Sequence, residues 1–231
     1  MGGICCSQGK HEPALEHFEK CLAIQIKVLG EDHPSVAATC SNVGLVYGSQ
    51  GKYEMALEQY EKCLAIEIKA SGEDHPSVAT TYSNIADVYD SQSKYEMALE
   101  QYEKCLAIEI KALGEDHPDV ATTYNNIGLV LIQQGKYEMA LEQYARCINI
   151  QRKALGEDHP SVAAMYNNIA FVYKHQGQYE LALEHSQKCL AIEIKTLGEN
   201  HPSVATTKYN IAALLEDTGE LTRCVTLSPK P

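Results

Sequence analysis

Long apolar runs are missing from this 231-residue sequence: no stretch approaches the roughly 18 to 20 consecutive apolar residues that a membrane span requires. The N-terminus lacks the charged start and long apolar run of a secretory signal, so the expected location is the cytosol. Basic residues are scarce. Lysine and arginine number 19 against 31 acidic residues, the net charge is −12, and no local basic cluster offsets it. A duplex phosphate backbone would be repelled, which excludes nucleic acid as the expected partner. The constellations that catalysis needs are also missing: a nucleophile beside a base, a Gly-rich phosphate loop, an HExxH helix and paired Cys-x-x-Cys motifs. The expectation is a protein without enzymatic activity, cofactor or metal.

What is present is a soluble composition, 45% apolar, sufficient for a real core. It carries one dominant internal repeat. Gly-Glu-Asp-His-Pro begins at Gly30, Gly72, Gly114 and Gly156, and a variant with Asn200 begins at Gly198, every interval being 42 residues. Behind each copy come Val-Ala, an Asn followed by Ile or Val, a Gly-Lys-Tyr-like turn, and Ala-Leu-Glu. Five of the nine cysteines, Cys21, Cys63, Cys105, Cys147 and Cys189, keep the same interval. On equivalent stacked helices they would lie roughly 10 Å apart, beyond disulfide reach. They are expected to be small buried thiols.

Within one unit, Val36, Cys40, Val43, Gly44 and Tyr47 fall along one stripe of an α-helix, helix A. Pro34 suits its first position, and the preceding His33 is biased toward the extended geometry of a cap. That reading covers His33, His75, His117, His159 and His201 as helix-start residues rather than metal ligands. Gly51-Lys52 marks a turn, and Tyr53, Ala56, Leu57, Tyr60, Cys63, Leu64 and Ile68 form the apolar stripe of helix B, with Glu54, Glu58 and Glu61 on the wet side. Gly72 closes it as a C-terminal cap. Ser93 replaces the turn glycine in one unit, at a cost of about 1 kcal/mol if that position is left-handed.

Each pair exposes too much apolar surface to stand alone, so stacking is expected to build one array. The expected organisation is a partial first repeat at 1–33, full repeats at 34–75, 76–117, 118–159 and 160–201, a capping helix at 202–220 and a tail at 221–231. The front repeat starts midway through a helix A, which makes that end a candidate for self-association or the edge of a longer array.

With Asn42-Val43-Gly44-Leu45-Val46-Tyr47, Gly51-Lys52-Tyr53, Ala56 and Tyr60, the unit resembles the tetratricopeptide repeat over essentially the whole chain. The 42-residue period and the Leu-Gly-Glu-Asp-His-Pro linker resemble the subtype of kinesin light chains and nephrocystin-like proteins. Helix A has no Trp at its start, and Leu131 and Leu215 stand where the helix A Tyr is expected. The resemblance implies an all-α, right-handed α-solenoid of stacked antiparallel helix pairs that acts as a protein-protein interaction scaffold or adaptor. It does not extend to a motor-binding coiled coil, since sustained heptads are lacking.

Positions that change from repeat to repeat are those that stacking does not dictate. Leu45, Asp87, Leu129, Phe171 and Ala213 form one such series; Gly48, Asp90, Ile132, Lys174 and Glu216 form another; Ser49, Ser91, Gln133, His175 and Asp217 a third. They share one helix A face, which in the resembled family lines the concave groove. One polar position there does not vary: Asn42, Asn84, Asn126, Asn168 and Asn210. Asn costs about 0.5 kcal/mol relative to Ala in a helix, and its amide can pair with the backbone of an extended peptide. A bond to the neighbouring helix is the structural alternative. The expected partner is thus a protein or peptide segment, with basic or polar residues facing Asp87, Asp90, Glu216 and Asp217 and an apolar anchor near Leu129, Ile132 and Phe171.

A separate feature, Met1-Gly2-Gly3-Ile4-Cys5-Cys6-Ser7, looks like a doubly acylated anchor, which makes a lipid-anchored scaffold the alternative reading. For the helix A face, Lys174 is the single lysine or arginine in the series above. Acidic C-terminal tails of the heat-shock chaperone kind, which related repeat domains hold with Lys and Arg on this face, are therefore expected to bind weakly or not at all. Fluorescence anisotropy showing micromolar capture of such a peptide would overturn this.

Overall fold

The computed structural model describes residues 11–217, with ten α-helices and no strand among them. Two lengths alternate. The 19-residue B helices are α1 (His11–Leu29), α3 (Tyr53–Ser71), α5 (Tyr95–Leu113), α7 (Tyr137–Leu155) and α9 (Tyr179–Leu197). The 16-residue A helices are α2 (Pro34–Ser49), α4 (Pro76–Ser91), α6 (Pro118–Gln133), α8 (Pro160–His175) and α10 (Pro202–Asp217). The chain divides into two compact units, residues 1–115 and 116–231. The first holds α1–α5 and the second α6–α10. Gly2, Cys5 and Cys6, and the tail at 221–231, lie outside the described residues.

The His-Pro pair explains each A-helix start. His33 is extended (φ −80°, ψ 138°) with Pro34 opening the helix, and its Nδ1 accepts from the Ser35 backbone N–H at 3.1 Å. His75, His117, His159 and His201 repeat this bond to Ser77, Asp119, Ser161 and Ser203. An imidazole thus does the capping work usually given to Ser, Thr, Asp or Asn. The B helices end at glycines with φ between 85° and 91° and ψ between 156° and 162°, backbone that only glycine adopts readily.

In unit 1, α2 packs on α3 and α4 on α5, while α1 and α3 also pack on the A helix that follows each. Unit 2 repeats the scheme with α6 on α7, α8 on α9 and α9 on α10. Val46, Val78, Val120, Val130, Val162, Val172 and Val204 are among the fully buried side chains, each contributing about 1.5–3 kcal/mol by burial. The linker aspartates face water instead. Asp32 pairs with Lys69 and Asp74 with Lys111 in unit 1, and Asp116 pairs with Lys153 at 2.8 Å and Asp158 with Lys195 in unit 2. Pairs this exposed tie each linker to the end of the next B helix but add little stability.

Cys63, Cys105, Cys147 and Cys189 are buried, whereas Cys21 is exposed. The expectation of a buried thiol fails at Cys21: among the described helices α1 packs mainly on α2, whereas α3, which carries Cys63, packs on both α2 and α4. Burial pushes the Cys63 and Cys147 thiols up to about 12 and Cys189 up to about 11, so these groups stay protonated and unreactive at neutral pH.

Ser93 takes φ 58°, where Gly51, Gly135 and Gly177 take 71° to 72°. A left-handed turn therefore recurs with a Cβ in one copy. Ser93→Gly is expected to stabilise unit 1 by about 0.5–1 kcal/mol, measurable as a raised urea midpoint at unchanged slope; a lowered midpoint would sink the idea.

Candidate partner-binding faces

The series read from the sequence reaches the surface on the A helices. Leu45 on α2 and Asp87 on α4, in unit 1, and Leu129 on α6 and Phe171 on α8, in unit 2, are all exposed. Ile132 is half-buried, and Lys174 and His175 are exposed. Among the asparagines, Asn42 and Asn210 are exposed and Asn84, Asn126 and Asn168 half-buried. One turn of helix separates each Asn from its variable neighbour three residues on, so both share a face. The side chain of Asp217 lies outside those described.

Unit 1 has a recess of about 160 Å³ between α2, α3 and α4, lined by Leu45, Ser49, Tyr60, Asn84, Asp87 and Ser91 among others. The Tyr102 hydroxyl donates to Asp87 Oδ1. Desolvation raises the Asp87 carboxyl above its ordinary value; the Tyr102 bond opposes that shift and the nearby Asp90 carboxylate adds to it.

Unit 2 has a recess of about 200 Å³ between α8, α9 and α10, lined by Phe171, Lys174, His175, Ser186, Asn210 and Leu214 among others. The Phe171 and His175 rings are 4.3 Å apart at centroid and tilted by 51°. Tyr137 of α7 stacks on His175 at 6.2 Å. This is an aromatic surface with one cation at its edge, suited to an apolar or aromatic anchor.

Two asparagines are already engaged inside unit 2. Asn168 Nδ2 donates to Asn125 Oδ1 at 3.2 Å, and Asn125 Nδ2 donates to Asn126 Oδ1 at 3.3 Å. Asn125 thus bridges α6 and α8, a structural use of both residues that leaves the Asn126 amide N–H groups and the Asn168 carbonyl for another partner.

Residues from the B helices complete these recesses, and the stripe analysis assigned them to the core alone. Tyr60, Tyr102, Tyr144 and Ser186 occupy one register, fifteen residues after Leu45, Asp87, Leu129 and Phe171. The repeat with a phenyl ring on its A face is the one with a small residue opposite. Pairing the two registers across repeats was the signal available. Among the described residues no three His, Cys, Asp or Glu side chains come together as metal ligands.

Family and structural comparisons agree with this geometry. The model for the tetratricopeptide repeat matches residues 1–68, 40–111, 92–153, 119–170 and 161–223. No curated protein matches the chain. Among solved structures, the nearly identical TPR-like repeats of a Podosopora anserina protein described as a kinesin light chain are 29% identical, with a TM-score of 0.73 over 84% of this chain and 92% of that one. BtubC (BKLC) from P. vanneervenii is 21% identical, with a TM-score of 0.76 over 97% and 94%. The apo form of RapI is 18% identical, with a TM-score of 0.71 over 96% and 83%. The latter two likenesses concern the fold.

Asp87 provides a pH test. A carboxyl raised in the folded state favours folding fully below its unfolded value of 3.8 and loses that contribution as pH rises through the folded value. Asp87→Asn, which still accepts from Tyr102, is therefore expected to be more stable than wild type at pH 7, with the gap closing by about pH 3. Thermal unfolding across that range checks it, and a variant less stable at pH 7 would contradict the assignment.

Proposed function

We infer, because the chain belongs to the tetratricopeptide repeat family, that it is a non-catalytic scaffold or adaptor of the kinesin light chain-like kind, working in the cytoplasm. It takes a peptide segment of a partner protein on the exposed faces of its A helices. The observation that carries the reading is the coincidence of variation with exposure: Leu45, Asp87, Leu129 and Phe171 change in size and charge from repeat to repeat and all face solvent. Buried positions such as Val78, Val120, Val162 and Val204 are identical at the same interval.

The two units differ in what they would hold. The unit 1 face carries Asp87 and suits a basic or polar residue, while the unit 2 face carries Phe171, His175 and Tyr137 and suits an apolar or aromatic side chain. The amide of Asn84 in unit 1, and those of Asn126 and Asn168 in unit 2, would pair with the backbone of the segment that each unit holds.

Peptides selected from a displayed library against the full chain test this. The consensus is expected to combine a basic or polar residue with an aromatic or large aliphatic one. Affinity should fall about tenfold or more in Phe171→Ala and in the triple variant Asn84→Ala, Asn126→Ala, Asn168→Ala, with helical content unchanged by circular dichroism. Selected peptides that bind both variants as tightly as wild type would place binding off this face.

A further inference from the structure

One register of helix A reads Cys40, Tyr82, Tyr124, Tyr166 and Lys208 at 42-residue spacing, so the ring is kept in the three central copies. In unit 1, Tyr82 packs against a cluster of Val78, Ala79, Cys105 and Ile108, with Leu64 and Ile68 from the preceding B helix. Lys104 lies over its ring, 5.7 Å from the centroid. Unit 2 repeats the arrangement, with Arg146 5.5 Å from the Tyr124 centroid and Lys188 5.7 Å from that of Tyr166. These are cation-π contacts.

One repeat before Tyr82 the same cluster is made of Val36, Ala37, Cys40 and Cys63, with Leu22, Ile26 and Ile66. Every apolar member is retained except the ring, which has become a thiol. Lys62 keeps the register of Lys104 and is held by Glu58 at 2.7 Å. A cleft of about 610 Å³ opens between α1, α2 and α3, walled by Leu22, Ile26, Val36, Cys40 and Ile66, with Lys62 and the acidic residues Glu19, Glu31 and Asp32 also lining it. Ile66 is half-buried, whereas its counterparts Ile150, Ile192 and Ile108, the last sharing a cluster with Tyr82, are buried. None of the A-face residues Asn42, Leu45 or Ser49 lines it.

We propose that this cleft is a binding site for a small aromatic molecule of the phenol class, whose ring takes the place that Tyr82, Tyr124 and Tyr166 fill in the next three repeats and lies beneath the Lys62 ammonium. The apolar wall supplies burial, the cation supplies the face contact, and the volume falls in the size range of small-molecule sites. The site is independent of the peptide-binding reading, since it involves a different side of the helix pairs.

The probe is p-cresol, the free side chain of tyrosine, titrated into the full chain and followed by isothermal calorimetry and methyl NMR. Binding is expected with shifts centred on Leu22, Val36 and Ile66. Cys40→Tyr, which restores the ring of the next three repeats, should weaken it at least about tenfold, while Cys40→Ala, which keeps the void, should bind within about threefold of wild type. Absence of millimolar binding to wild type, shifts centred elsewhere, equal binding to Cys40→Tyr, or loss in Cys40→Ala would each overturn the proposal. So would equally tight binding of N-acetyl-Gly-Tyr-Gly-amide, which would assign the cleft to a partner's tyrosine. If Cys40→Tyr does not fold, the wild-type shift map and Cys40→Ala still decide.

Discussion

Each helix pair depends on how closely the A helix approaches the B helix. A Cβ added at Gly44 would meet Tyr60 Cε1 at 2.8 Å, and one at Gly128 would meet Tyr144 Cε1 at 2.6 Å. In both pairs the tyrosine ring therefore lies on bare A-helix backbone, and Tyr60 and Tyr144 are almost wholly buried. Glycine in a helix interior costs about 1 kcal/mol relative to alanine, which the burial of a whole ring outweighs. The approach also fixes what the surface shows. Leu45 and Leu129 immediately follow these glycines, about 100° further around the helix, and so are turned out to solvent.

The same approach is met differently where alanine holds the register. Tyr102 stands sixteen residues after Ala86, as Tyr60 does after Gly44, and its hydroxyl donates to Asp87, while Ala170 lines a recess with Ser186 instead of a ring. Tyrosine against glycine, tyrosine against alanine with a carboxylate beside it, and serine against alanine with a phenyl ring alongside are three solutions to one spacing. The exposed A-helix face and the buried core are thus coupled residue by residue, since the residue at 87 or 171 goes with what lies on the B helix fifteen positions later.

Helix boundaries and the repeat were legible because their signals are local and recur. The His-Pro pairs mark every described A-helix start, and the Gly of each linker marks the B-helix ends. The imidazole as acceptor of the cap was not legible, because sequence shows only that the residue before proline is extended. The exposed face was legible as variation against a constant background. Its B-helix contributors were missed because Tyr60, Tyr102 and Tyr137 fit an apolar stripe and nothing in periodicity says which end of a tyrosine reaches the surface. The Asn125 bridge was missed for another reason: it pairs residues 43 apart, one more than the repeat, a relation visible only once α6 and α8 lie side by side. Cys21 illustrates the reverse limit, where strict periodicity implied burial that the local neighbours do not supply.

Internal repetition also gives a criterion for separating drift from design at single positions. When Ser186 replaces a tyrosine, Phe171 appears beside it on the exposed A-helix face, so the ring is moved from the buried register of α9 to the surface register of α8 and both residues line an open recess. When Cys40 replaces a tyrosine, no neighbour grows: Leu22, Val36 and Cys63 match Leu64, Val78 and Cys105, and the cation stays at Lys62 with no ring beneath it. A core that merely tolerates substitution is expected to repack, because an unfilled apolar volume forfeits dispersion contacts on every side. Here the wall, the floor and the cation are all kept while the filling is removed, and Ile66 stays partly open to solvent as a result. The change at 186 comes with a ring at 171 on the exposed face, whereas the change at 40 comes with no added ring and leaves the apolar wall of the proposed phenol site uncovered.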